Sequence, residues 1–149
     1  MAVSGYQDLI AWQLAEQLKL EAFSLLRLSA RASDDFRFAT QLREAARGPA
    51  KHITEGFARF SPRSFMLYLD YAPGSIAETE EHLKDGIELG YFTAQACDTA
   101  FRRARRCTTA SSRLKQSQTR FRPRPKTGPE QSGHRKPPRG ASGRGGEPA

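Results

Sequence analysis

Gln41-Leu42-Arg43-Glu44-Ala45-Ala46-Arg47-Gly48-Pro49-Ala50-Lys51-His52-Ile53-Thr54-Glu55-Gly56 reads as a helix that carries a glycine and a proline in its middle. Leu42, Ala45, Ala46, Pro49 and Ile53 keep spacings of three and four straight through that interruption. Proline removes one backbone donor and clashes with the preceding turn, so propensity alone does not hold such a helix together. Tertiary packing must do so. Small neighbours on either side of Pro49 let another backbone come close. The stretch therefore predicts helix packed on helix, with a kink at Pro49; a break into two helices at Gly48 is the competing reading.

Working outward, the periodicity predicts four helices. The first spans about Asp8 to Arg31, with Asp8 as N-cap and a broad apolar face that includes Leu9, Trp12, Leu18, Phe23 and Leu26. A short link, Ala32-Ser33-Asp34-Asp35, leads to the second, from about Asp35 to Phe60. The third opens at Ser61-Pro62, a capping residue followed by proline at the first helical position. Its stripe is Phe65, Leu69, Ala72, Ile76, Leu83 and Ile87, it carries Pro73-Gly74 within it, and Gly90 ends it. Thr93 caps the fourth, from about Ala94 to Gln118, whose apolar positions are mostly small. Short loops between four helices predict an all-α, antiparallel up-down-up-down four-helix bundle over residues 1–118. Residues 119–149 hold six prolines, six glycines and one large apolar residue, Phe121, and are expected to be a disordered basic tail.

Charge is unevenly placed. Residues 1–101 carry 10 Lys/Arg against 14 Asp/Glu, and residues 102–149 carry 14 against 2. A basic end on an acidic body suits a polyanion such as RNA or DNA, and it equally suits a solubilising tail. The N-terminus lacks a basic segment followed by an apolar one, and no apolar run approaches the roughly 18 residues of a spanning helix. A soluble, cytoplasmic protein without a membrane partner is expected. Cys97 and Cys107 lie ten residues apart on one helix, about 15 Å along its axis, too far for a disulfide.

Three constellations carry candidate chemistry. Arg102, Arg103, Arg105, Arg106, Arg113 and Lys115 cluster on the fourth helix, with Arg102, Arg106 and Arg113 sharing roughly one face. They are the nucleic-acid-binding candidates, because clustered cations displace condensed counterions from phosphates. The alternative is a solvated face balancing the acidic third helix. Sparse aromatics leave base stacking unsupported. Next, Gln41, Arg43, His52, Glu55, Ser75 and Glu78 are polar positions within packed segments, read as a structural seam in which Arg43, Glu55 and Glu78 form an interhelical ion-pair network. No nucleophile or oxyanion donor accompanies these carboxylates, so no catalytic residue is assigned. Last, His52-x-x-Glu55 and the pair Glu78 and His82 fall short of the ligand set of a di-iron bundle, so no metal or cofactor is assigned.

With these segments placed, the chain resembles the small bacterial four-helix bundle proteins also called 23S ribosomal RNA intervening-sequence proteins. Tyr6-x-Asp8-Leu9-x-x-Trp12 resembles the family's opening. Gln41-Leu42-Arg43-x-Ala45-Ala46 with Ile53-Thr54-Glu55-Gly56 resembles its second-helix signature. Phe65-x-x-Tyr68-Leu69-x-x-Ala72-x-Gly74-Ser75-Ile76-x-Glu78 with Leu89-Gly90-Tyr91 resembles its third. Gly48 stands where the family usually has serine, His52 where it has asparagine, and the end of the fourth helix is less aliphatic. The resemblance implies a non-enzymatic bundle. A similar bundle is the accessory protein of diversity-generating retroelements, so the resemblance also implies a homo-oligomer, a pentameric ring, nucleic-acid binding and a reverse transcriptase or other protein partner. Self-assembly is expected on physical grounds too, since the first helix is apolar around a wide arc and a bundle of this length has a limited core.

Overall fold

A computed structural model describes residues 2–120; the expected tail lies, beyond Arg120, outside the described residues. The described chain is all-α. A 3₁₀ turn at Tyr6–Asp8 precedes α1 (Ile10–Leu28), α2 (Ala30–Asp34), α3 (Phe36–Phe57), α4 (Pro62–Glu88) and α5 (Ala94–Thr119). No strand occurs among the described residues.

The termini follow the capping chemistry in the sequence, with two corrections. The Asp35, Ser61 and Thr93 side chains accept from the amides of Phe38, Ser64 and Ala96, which satisfies donors that each helix start leaves open. Asp8 does not cap α1. Its carboxylate closes the 3₁₀ turn by accepting from Ser4 N (2.8 Å), Ser4 Oγ (2.7 Å) and Gly5 N (3.3 Å). Those bonds hold its carboxyl below the ordinary value, the Ser4 side chain contributing most. The link after α1 is itself a helix, α2, capped by Ser29 Oγ on Ala32 N at 3.2 Å. At the end of α4, Gly90 takes φ +71°, which only glycine adopts without cost. Its amide donates to Ile87 O and that of Tyr91 to Gly86 O, a Schellman closure.

Each long helix packs on two others, α1 on α3 and α5, and α4 on α3 and α5. Along α3 and α4 the pairings run in opposite senses. Phe38 meets Gly86, Gly48 meets Ser75, and Gly56 meets Phe65 and Tyr68. The core is built from Leu18, Leu26, Leu42, Ile53, Leu69, Ile76 and Leu83, with Phe38, Phe65 and Phe92 at its ends. The α5 contribution is small: Cys97, Ala100, Ala104, Cys107 and Ser111. Both cysteines are free and buried, and burial pushes each thiol up to about 11. They are packing groups with little thiolate character.

The interruptions at Gly48-Pro49 and Pro73-Gly74 break neither helix. Pro49 is fully buried. Gly48 abuts Ser75, so close that a Cβ there would lie 2.5 Å from Ser75 Oγ and 2.6 Å from its Cβ. Gly74 has no atom near the position its Cβ would take and is turned outward, so the two interruptions do not meet as a pair. Phe60 falls beyond α3, at φ +54° and 94% exposed, and adds nothing to the stripe expected of it.

Candidate nucleic-acid interface

The six cationic residues of α5 divide into distinct environments. Arg105, Arg106 and Arg113 are exposed, have no carboxylate within ion-pair range among the described residues, and line one groove. Arg102 is exposed but paired to Asp98 at 3.1 Å and bonded to Thr99 at 3.2 Å, one and less than one turn back on the same helix. Arg103 is half-buried, and its Nε has no partner among the described residues. Lys115 turns toward α4 and pairs with Asp70. The division follows from helix geometry. At about 100° per residue, positions 102, 105, 106, 109 and 113 share an outward arc, whereas 103 and 115 fall on flanks facing neighbours.

The groove lies between the start of α1 and the second half of α5. Its volume is about 630 Å³. Leu9, Ala11 and Leu14 are buried in its floor, Ala110 and Leu114 are half-buried, and Ile10 stands 66% exposed at its edge. The small residues of α5 create it. Thr109 and Ala110 reach too short a distance to fill the space opposite Leu14. Asp8 also borders it, with its carboxylate tied to Ser4 and Gly5. Three guanidinium groups around an aliphatic floor suit an anion that brings some apolar surface of its own. Sequence reasoning located the arginines and missed the floor, because the floor depends on which residues of α1 lie opposite α5.

The seam residues sit on the opposite side of the molecule. Gly48, His52, Ser75 and Glu78 line one shallow cavity with Glu44 and Arg47. The carboxylate contacts there are intrahelical: His52 Nδ1 lies 3.8 Å from Glu55 Oε2, and His82 Nε2 lies 3.8 Å from Glu78 Oε1. Arg43 is half-buried with no ion pair among the described residues. Gln41 is exposed and borders a separate cavity with His82 and Asp85. His52 packs on Tyr71 across the helix pair, with ring centroids 5.5 Å apart. Burial pushes its pKa below the ordinary histidine value, against the pull of Glu55. The six do not converge on one point.

No helix among the described residues is long and apolar enough to cross a membrane. A comparison with curated proteins found no match. The chain does match a family along 7–112, a segment that takes in all of α1 to α4 and most of α5, and by that match it belongs to the 23S rRNA-intervening sequence proteins.

Proposed function

We propose that this chain is a non-enzymatic, self-assembling up-down-up-down bundle of the cytoplasm that binds RNA or DNA through the exposed arginines of α5. One observation carries the reading: Arg105, Arg106 and Arg113 converge on one groove without carboxylate partners among the described residues. Exposed guanidinium groups left unpaired by their own fold are available to phosphates. Helix charge supports it. Within α5 there are six Lys/Arg against one acidic residue, and among the described residues only Arg102 and Lys115 are engaged in ion pairs. Recognition is sequence-independent, since the groove offers aliphatic side chains and no aromatic platform for bases.

The test is affinity for single-stranded RNA across a salt series, with the full chain and with Arg105, Arg106 and Arg113 changed together to Gln. Each phosphate contact on a single strand contributes about 0.7 to the slope of log affinity against log salt. Removing three contacts should therefore flatten the slope by about 2. An unchanged slope refutes the assignment. A role in binding proteins alone is favoured by the exposed Leu28, Phe36 and Phe60 at the two ends of the molecule, and it is what a flat wild-type slope would leave standing.

A further inference from the structure

The α1–α5 groove does not end at Leu9 and Leu114. Both residues also border a second cavity of about 470 Å³, whose walls include Val3, Phe57, Phe60, Pro62 and Phe65. The two helices run in opposite senses, since Cys107 Sγ meets Ala11 O at 3.6 Å while Leu114 shares both cavities with Leu9. Arg105 and Arg106 therefore stand at the Leu14 end of the groove. Arg113 and Asp8 stand at the Leu9 end, where the second cavity begins. From Arg105 to Ser117 the apolar track runs about 18 Å along α5. It is cationic at one end and lined by aromatic rings at the other, where Phe60 stands 94% exposed.

We propose that this track binds a free fatty-acid anion, with the carboxylate on Arg105 and Arg106 and the hydrocarbon chain passing Leu9 and Leu114 into the second cavity. Paired guanidinium groups match a carboxylate, and Asp8 repels one at the opposite end, so the charges fix the direction of the ligand. The walls fix its chemistry. Among the described residues lining the groove, Thr109 is the one uncharged polar side chain. A peptide or a sugar would bury amides or hydroxyls there without partners, whereas a hydrocarbon with a single anionic end leaves nothing unsatisfied. The groove's 630 Å³ falls within the range of small-molecule sites, about 300–1,000 Å³. The chain's own C-terminal segment is a poor occupant on charge, since residues 121–149 carry seven Lys/Arg against two Glu. Arg105 and Arg106 also serve phosphates in the function proposed above. That a bound fatty acid weakens RNA binding rests on that reading, and the lipid site itself does not.

The test titrates octanoate, decanoate, dodecanoate and tetradecanoate into the full chain, each below its micelle-forming concentration, by calorimetry and amide shifts. One molecule should bind per chain, with helix content unchanged by circular dichroism. Affinity should rise about fivefold for each two carbons added, because the open groove buries each methylene only in part. Octanoate should move the amides of Leu9–Leu14 and Arg105–Leu114, and tetradecanoate should move those of Phe57 and Phe65 as well. Arg105→Gln with Arg106→Gln should weaken dodecanoate about tenfold or more and leave dodecanol unchanged. Ala110→Leu, which fills the groove, should weaken both and keep the salt slope for RNA. An affinity that ignores chain length marks an anion site alone, and one that ignores the carboxylate marks an apolar patch alone; either overturns the proposal. So does binding to phosphatidylglycerol vesicles without binding of the free acids. Binding seen only after residues 121–149 are removed gives the track to the C-terminal segment, and groove shifts that follow protein concentration without ligand give it to a second copy; both overturn it. Dodecanoate should weaken RNA binding by wild type and not by Ala110→Leu. RNA binding that dodecanoate leaves untouched overturns the competition alone, and failure of RNA to bind at all removes the nucleic-acid function and leaves the lipid site intact.

Discussion

The α3–α4 pair and the α1–α5 pair are both built from long helices, yet the first meets closely at its glycines, with smaller cavities along its outer edge, and the second leaves a larger groove with an aliphatic floor. Between α3 and α4, glycine allows direct approach: a Cβ at Gly56 would sit 2.7 Å from Phe65 Cδ2 and 2.8 Å from Tyr68 Cβ, and Gly48 lies on Ser75. Large residues fill the interior behind them, Leu42, Ile53, Leu69 and Ile76 among them. Between α1 and α5, small residues face inward and arginines face out, and the two helices leave about 630 Å³ between them at one end. Small residues thus have opposite effects. Glycine opposite a side chain draws two helices together, whereas alanine and threonine opposite Leu14 leave room for something else. The first pair holds the molecule, and the second is where we propose that it binds.

The sharpest way to break this contrast is one substitution made in both places. Ala46→Leu forces a larger side chain into the fully buried interior of α3 and should destabilise by about 1–3 kcal/mol. Ala110→Leu points into the groove and should change stability by no more than about 0.5 kcal/mol. Urea denaturation of both checks it, and equal losses would mean that the groove is packed as tightly as the seam. Gly48→Ala tests the seam alone. It should cost about 1 kcal/mol or more, because Ser75 Cβ is fixed to its backbone and cannot step aside. Ser75→Gly should relieve most of that loss in the double variant, and additive losses would place the strain elsewhere.

Asp35→Ala should cost about 1 kcal/mol, since the side chain caps α3 and also accepts from Tyr91 Oη at 2.8 Å. Its effect is on the seam's end and should leave RNA affinity untouched. The smallest effect concerns His52. Its folded pKa lies below the ordinary value, so the unfolded chain takes up a proton first as pH falls. Its contribution is therefore intact above about pH 6.5, the ordinary histidine value, and declines as pH drops through that value toward the folded one. Denaturation midpoints at pH 7.5 and 5.5 should converge slightly in His52→Asn relative to wild type; an unchanged difference would mean that His52 titrates alike in both states.

Much of the frame was legible because it rests on local rules. Asp35, Ser61-Pro62, Thr93 and Gly90 mark helix ends through backbone chemistry that needs no distant partner. The apolar stripe through Gly48-Pro49 correctly indicated one helix. What escaped was short or non-local. α2 is five residues long, too brief for a period to register. Phe60 fits the spacing of α3, but the helix ends at Phe57 and the phenyl ring is left outside. Thr79 is a fully buried polar residue that sits within the α4 stripe, its hydroxyl donating to Ser75 O at 2.8 Å. The basic residues of α5 stood out at once by composition. Their separation into paired, half-buried and groove-lining groups needed the neighbours Asp98, Asp70 and Ile10 in place.

The most direct measurement is a map of backbone amide shifts while single-stranded RNA is titrated into the labelled chain. Shifts should gather at Leu9–Leu14 and Arg105–Leu114, with Gln41–Glu55 left unmoved. Shifts concentrated along Gln41–Glu55, with Arg105–Leu114 silent, would contradict the division of the molecule into a holding pair and a binding pair.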